Sequence, residues 1–151
     1  MKYLVDTGVL RRLFDSDDIH CTTIRAAFHA IRARGDEVFF AVQNASEFWN
    51  VSTRPASSRG GYGHDPQRVA LRLQLLARFC NRIVETHASY KKWKELLISH
   101  SVCGVAVHDA RLVSVMICAG IRNVVTLNPD DFKRYPEVTA VGPDEIVAAG
   151  G

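Results

Sequence analysis

The chain lacks the features that staple, anchor or secrete a small protein. Its four cysteines, at 21, 80, 103 and 118, form no C-x-x-C pair and no zinc-finger spacing. His100 and Cys103 make one H-x-x-C, but the second ligand pair of a structural zinc is missing. Cys80 and Cys118 lie in apolar stretches and read as small core residues. No apolar run approaches the ~20 residues of a membrane span. The opening MKYLVDTGVL shows neither the apolar stretch nor the cleavage site of a secretory leader. These absences lead us to expect a soluble, cytoplasmic protein with reduced thiols. An excess of one charge is missing too: 19 Lys and Arg face 16 Asp and Glu, for a net charge of +3. That balance permits contact with a phosphate backbone without demanding it. There is no internal repeat, low-complexity segment or interdomain linker.

What is present is the composition of one globular domain. The chain has 151 residues, 47% hydrophobic and 23% charged. A domain of that size buries roughly 68–70% of its unfolded surface, enough for a core without disulfides or metals.

Short apolar runs alternate with helical periodicity. Strands are expected at 2–6, 37–41, 82–85, 123–126 and 139–141. Helical patterns are expected at 9–14, 20–34, 42–53, 67–81, 88–99 and 105–119, and a turn, or one helical turn, at 129–135. Ile24, Ala27, Phe28 and Ile31 recur at helical spacing in the second helix, and Leu71, Leu75 and Phe79 lie on one face of the fourth. Gly35 and Gly120 stop helices. Residues 55–66, PASSRGGYGHDP, are a loop, and Gly60, Gly61 and Gly63 predict that it is mobile. Strands with few polar residues suit a sheet covered on both faces. The expected fold class is α/β: a three-layer α/β/α sandwich around a short-stranded, mainly parallel sheet.

In such sheets ligands bind beyond the carboxyl ends of the strands. Asp6 stands at one such end, although it or Thr7 would also serve as a helix N-cap. Thr126 and Asn128 stand at another, followed by Asp130 and Asp131, which equally suit a solvated turn. Gln43, Glu47, Asn50 and Arg54 form one polar stripe on a helix, either a solvated face or the wall of a cleft. Ala45, Phe48, Trp49 and Ser52 point elsewhere. Asp109 sits among Val105, Ala106, Leu112, Val113, Met116 and Ile117, and His108 and Arg111 point to other sides. A carboxylate there needs a partner, unless it is an N-cap, because desolvating an unpaired charge costs several kcal/mol. Two carboxylates 4 Å apart repel by about 4 kcal/mol at an effective dielectric of 20. If Asp6, Glu47, Asp109 and Asp131 converge, they must take up protons or a cation. An all-oxygen set without thiolate or paired histidine suits Mg²⁺ or Mn²⁺. Such an ion can orient a phosphate and generate hydroxide for in-line attack.

Three segments, LVDTGVL at 4–10, QNASEFWNVSTRP at 43–55 and HDARLVSVMICAGIRNVVTLNPDDFKRYPEV at 108–138, give a sequence that resembles the PIN-domain ribonucleases. Within them it is similar to the VapC-like toxins of toxin–antitoxin modules. The resemblance covers almost the whole chain. It implies a PIN fold and Mg²⁺- or Mn²⁺-dependent cleavage of RNA. It implies Asp6, Glu47, Asp109 and Asp131 as the catalytic and metal-binding acids, with Asn128 as a rival to Asp131 for the fourth place. It also implies a homodimer held inactive by a small antitoxin whose basic or hydrophobic tail enters the acidic cleft. The partner surface would include the helices near 20–34 and 43–53. One departure stands out: Gly8 occupies a position where relatives often carry Asn or Ser.

Two other readings compete. Asp6-Thr7-Gly8 after an apolar strand is also the retropepsin-like signature, although that class needs a β-rich chain. A PIN module that only binds RNA or protein is the second. RNA approaching the acids needs cations at the rim. Arg11, Arg12, Arg54 and Arg59 are candidates, with Thr126 and Asn128 as further substrate contacts. Tyr62 and His64 are of a type that stacks on unpaired bases.

Overall fold

The computed structural model describes residues 1–150. Five strands, β1 (Lys2–Val5), β2 (Glu37–Ala41), β3 (Asn81–Ile83), β4 (Asn123–Val125) and β5 (Thr139–Val141), form one sheet in the order β3-β2-β1-β4-β5. Every pairing is parallel, so the sheet is wholly rather than mainly parallel. Leu4 pairs with Phe39 on one side and with Val124 on the other. The chain runs outward from β1 to β3, then returns to begin again at β4. The order therefore reverses between the carboxyl ends of β1 and β4, the place where such sheets open a crevice.

Alternation along β1 divides the core. Tyr3 and Val5 face a cluster with Ile24, Phe28 and Ile31 of α2 (Cys21–Ala33), Leu10 of α1 (Thr7–Leu13) and Phe48 of α3 (Val42–Thr53). Val69 and Leu76 of α4 (Pro66–Leu76) join the same cluster. Leu4 faces the opposite cluster, with Leu96 of α5 (His87–Ser99) and Ala110, Val113 and Met116 of α6 (Val107–Cys118). Two helical layers thus cover one parallel sheet, as the strand composition predicts. A β-rich aspartic-protease fold is excluded, and with it the protease reading of Asp6-Thr7-Gly8. Among the described residues no helix is long and apolar enough to cross a membrane.

Several expectations are corrected. The helix expected at 67–81 ends at Leu76, and Asn81 already belongs to β3. The face that carries Leu71 is not the buried one: Leu71 is 65% exposed, while Val69 and Leu76 are buried. Apolar residues four apart mark a stripe, but not which stripe meets the sheet. The helix expected at 105–119 opens with a separate 3₁₀ turn, Gly104–Ala106, and Val105 is 85% exposed. Cys118 faces outward at the end of α6, whereas Cys80 is buried as expected and burial pushes its thiol pKa up to about 12. A last helix, α7 (Pro143–Ala148), packs on α2 and was not expected. Its signals are Pro143 at its start, Asp144 and Glu145 in its first turn, and Glu145 Oε1 accepting from the Gly142 amide at 3.0 Å.

The 55–66 loop is pinned rather than loose. The amides of Tyr62, Gly63 and His64 donate to the carbonyls of Val51, Arg54 and Ser52 at 3.1, 2.8 and 2.9 Å. A Cβ at Gly61 would lie 2.4 Å from the Arg54 carbonyl oxygen, so glycine is needed there for close approach to α3.

Candidate active site at the sheet switch point

Asp6 follows β1, and its amide extends the ladder to the Val125 carbonyl at 3.0 Å. Its carbonyl, not its carboxylate, opens α1, accepting from the amides of Val9 and Leu10 at 3.1 Å each. The side chain caps nothing. It is left free to turn into the crevice, where Oδ2 accepts from the Thr126 hydroxyl at 3.0 Å. Burial pushes the Asp6 pKa upward; the Thr126 bond opposes this, and Glu47 and Asp131 add to it. Thr126, expected to touch substrate, is only 1% exposed and also accepts from the Asn128 amide at 3.0 Å. It holds Asp6 in place and faces no solvent.

Glu47 enters from α3. Its Oε2 accepts from the Thr7 hydroxyl at 2.6 Å, and its Oε1 from Gln43 Nε2 at 2.9 Å. The same Gln43 nitrogen donates to the His108 carbonyl at 3.0 Å, tying α3 to the start of α6. Asn44, 1% exposed, donates to the Thr7 hydroxyl at 3.2 Å and accepts from the Ala41 amide at 2.8 Å. Thr7 and Asn44 are thus structural members of the site that sequence reasoning missed. Their signal was present: Thr7 is the first residue of α1 and Asn44 the third of α3, both small polar residues in the first turn after a strand. The expected stripe divides in two. Gln43 and Glu47 face the crevice, Asn50 is exposed, and Arg54 ends α3 about 10 Å further along its axis.

Asp109 lies in the first turn of α6 but does not cap it; Ala106 holds the N-cap position. Its pKa is raised to about 6, first by burial, then by Asp131, Asp6 and Glu47, with His108 lowering it slightly. Arg111, nearby in sequence, is engaged elsewhere by both oxygens of Glu85 at 3.0 Å. Asp131 projects from the 3₁₀ turn Pro129–Phe132 and acts on both Asp6 and Asp109. Its neighbour Asp130 instead pairs with Lys133 at 2.6 Å on the surface. Asn128 is exposed. Of these three, Asp131 is the one whose charge reaches the other acids.

The four expected acids therefore share one electrostatic neighbourhood, and among the described residues none forms a salt bridge. They are not a closed cage: no three His, Cys, Asp or Glu side chains among the described residues stand together as a ready metal-ligand group. Mg²⁺ does not require one, since it keeps several waters and uses one or two carboxylates. The donor set, all oxygen with two acids pushed toward protonation, fits a hard divalent cation.

The remaining expected residues lie to the side. Arg12 donates to Asp18 Oδ2 at 3.1 Å and to the Gly8 carbonyl at 2.9 Å. Arg54 donates to the carbonyl of Arg59, an exposed residue, at 3.3 Å. Tyr62 and His64 stack on each other, with ring centroids 5.7 Å apart and planes at 12°.

Comparison with known proteins reaches the same place from outside. No curated protein matches the sequence. Three solved structures share the fold. One is VapBC2 from Rickettsia felis bound to a DNA fragment from its promoter, with TM-score 0.70, 15% identity, and coverage of 94% of this chain and 98% of that one. The second is VapC20 of Mycobacterium tuberculosis, a sarcin–ricin loop cleaving toxin, with TM-score 0.58, 19% identity, and coverage of 81% and 86%. The third is VapBC-1 from nontypeable Haemophilus influenzae, with TM-score 0.61, 16% identity, and coverage of 95% and 98%. The PIN domain model matches residues 3–138, a span that runs from β1 past the last of the four acids. By that match the chain belongs to the PIN-domain family.

Proposed function

We propose that the chain is an endoribonuclease and the toxin of a toxin–antitoxin pair. What supports this reading is that Glu47 and Asp131 act on Asp6, and all three act on Asp109, while among the described residues none of the four forms a salt bridge. Such an arrangement is costly to a fold and useful to phosphodiester chemistry. Asp6, Glu47, Asp109 and Asp131 would hold Mg²⁺ or Mn²⁺. Bound there, the ion would offset their charge, orient a phosphate and lower the pKa of a water for in-line attack. The chain's own part is positional. Thr126 fixes the Asp6 carboxylate, Thr7 and Gln43 fix that of Glu47, and the Gln43 bond to His108 sets the start of α6 and hence Asp109. Asn128, which is exposed, would meet the RNA at the rim, and Arg54 and Arg59, to the side of the acids, would follow its backbone further out.

The partner reading draws on the resemblance to VapC-like toxins and on the shared fold of VapBC2 and VapBC-1. It also draws on a groove of about 740 Å³ lined by Leu13, Phe28, Leu75 and Phe79, with Arg25 and Arg32 among them. We assign this groove to an amphipathic segment of the antitoxin. Of the two helices expected to carry the partner surface, α2 lines the groove and α3 does not. A homodimer and a cytoplasmic location complete the reading.

The test is a cleavage map of total cellular RNA treated with the purified protein. Cleavage should require Mg²⁺ or Mn²⁺ and stop in EDTA. Full activity in EDTA would remove the metal from the proposal, and no cleavage under any divalent ion would remove the nuclease.

A further inference from the structure

A small cavity of about 260 Å³ opens at the end of α1. Arg11 and Asp15 border it from α1 and the following turn, Arg68 and Arg72 from α4, and Tyr62 and His64 from the pinned loop. It is below the roughly 300–1,000 Å³ of pockets for drug-sized ligands, so it suits a single compact group. The Nε of Arg11 is buried and has no hydrogen-bond partner. A charged donor left so is costly unless something accepts from it. Arg72 gives one nitrogen to the Phe14 carbonyl at 3.3 Å and lies over the Phe14 ring at 5.7 Å. Among the described residues Arg11, Arg68 and Arg72 form no salt bridge, even though Asp15 and Asp17 share the cavity.

The aromatic wall is preorganised. Tyr62 and His64 are already parallel, and three backbone hydrogen bonds together with the tight Gly61 contact hold their loop to α3. Rigid rings lose little entropy on binding. Burial, with Arg72 and Arg68 adding to it, disfavours the charged form of His64, so it presents a neutral ring. Arg12 lies between the cavity wall and Asp6. Tyr62 feels the charges of both Arg11 and Arg12. Arg12 NH1 lies 3.6 Å from the place a Gly8 Cβ would occupy, and Asp6 Oδ2 lies 3.5 Å from it.

We propose that Arg11, Arg68 and Arg72, with the Tyr62–His64 ring pair, form a subsite for one unpaired nucleotide flanking the cut, the guanidinium groups taking its phosphate and the rings its base. The inference rests on the ribonuclease reading and adds a source of substrate preference to it. Arginine suits the phosphate because its planar fork donates two hydrogen bonds at once. A stacked base explains selection of single-stranded over paired RNA, since only an unpaired base offers its face.

The test uses fluorescence anisotropy of a short unstructured labelled RNA, with EDTA present to prevent cleavage, and a parallel cleavage assay with Mn²⁺. Arg68→Gln is the first variant, because its side chain is exposed and makes no hydrogen bond in the fold. It should weaken binding about tenfold and reduce the salt dependence of log affinity by about 0.7, the share of one phosphate contact on a single strand. His64→Ala should weaken binding at least about fivefold, as loss of a base stack does, with little change in that salt dependence. In the cleavage assay both should raise KM and leave kcat nearly unchanged. If the wild type cleaves RNA while both variants keep its affinity, salt dependence and KM, the subsite is overturned and the nuclease stands. If the wild type neither binds nor cleaves RNA, both fall.

Discussion

The Thr7 hydroxyl and the Glu47 carboxylate meet at 2.6 Å, joining the first residue of α1 to the middle of α3. Thr7 immediately follows Asp6, so this one contact sets the spacing between two of the four acids. Thr7 also accepts from the buried Asn44 amide, which in turn receives the Ala41 amide. The network is a continuous path from the end of β2 to the end of β1. Thr7→Val keeps the shape and removes the hydroxyl. It strands the Asn44 donor and one Glu47 oxygen, which should cost about 1–3 kcal/mol. A thermal melt should fall by about 2–4 °C per kcal/mol for a domain of this size. Thr7→Ser should recover most of the loss. Equal melting of Thr7→Val and wild type would show that the bond contributes nothing.

The fold class was legible because it rests on local contrasts, whereas the set of four acids came from the family resemblance. Alternating apolar runs and helical periods expose an α/β/α sandwich, and a lone acid in an apolar helix, such as Asp109, announces itself. Facing was harder to read. Leu71 and Leu75 share the spacing of buried residues, but α4 sits at the edge of its layer and turns them to solvent. Thr126 was misread for a related reason: a residue at a strand end can face the crevice or the core, and the Asp6 bond that decides it spans 120 positions. The pinning of the 55–66 loop depends on backbone groups, which leave no side-chain pattern. Helix α7 is six residues long, too short to show a period.

Gly8 is the departure from the family pattern, and the structure makes it testable. A Cβ there would lie 3.5 Å from Asp6 Oδ2, ordinary van der Waals contact, and the backbone does not require glycine. Gly8→Ala should therefore raise stability by up to about 1 kcal/mol through helix propensity. Gly8→Ser adds a hydroxyl beside the Asp6 carboxylate. Favouring the ionised acid, it should tighten Mn²⁺ binding relative to Gly8→Ala in a calorimetric titration. Equal affinities would separate Gly8 from the site.

The metal-free protein should lose stability as pH rises across the acid range. Asp6 and Asp109 both have folded pKa values above the ordinary 3.8, and that of Asp109 is about 6. Below 3.8 both folded and unfolded chains hold these protons, and no penalty arises. Between 3.8 and about 6 the unfolded chain releases the Asp109 proton that the folded chain retains, so stability falls. Above that range the folded chain carries the full burden of burial and like charge. Melts in EDTA between pH 4.5 and 7.5 should show this decline, and Mn²⁺ should raise the melting temperature more at the upper end than at the lower. A metal effect independent of pH would contradict the linkage.

Asp109→Asn separates the chemistry from the fold. The substitution keeps shape and removes one charge from a position that caps no helix. In EDTA at neutral pH the variant should melt no lower than wild type, and higher if repulsion from Asp131, Asp6 and Glu47 dominates the burial of a neutral amide. Near pH 4, where the wild-type carboxyl is itself protonated, the difference should shrink. Cleavage should follow the opposite course. A missing acid in the cation site removes stabilisation of the transition state, and each 1.36 kcal/mol lost is tenfold in rate, so activity with Mn²⁺ should fall by orders of magnitude. A purely structural carboxylate would leave cleavage intact in a folded variant. Retained activity in a variant that melts like wild type would therefore take Asp109 out of the site, and with it the main support for a four-acid centre.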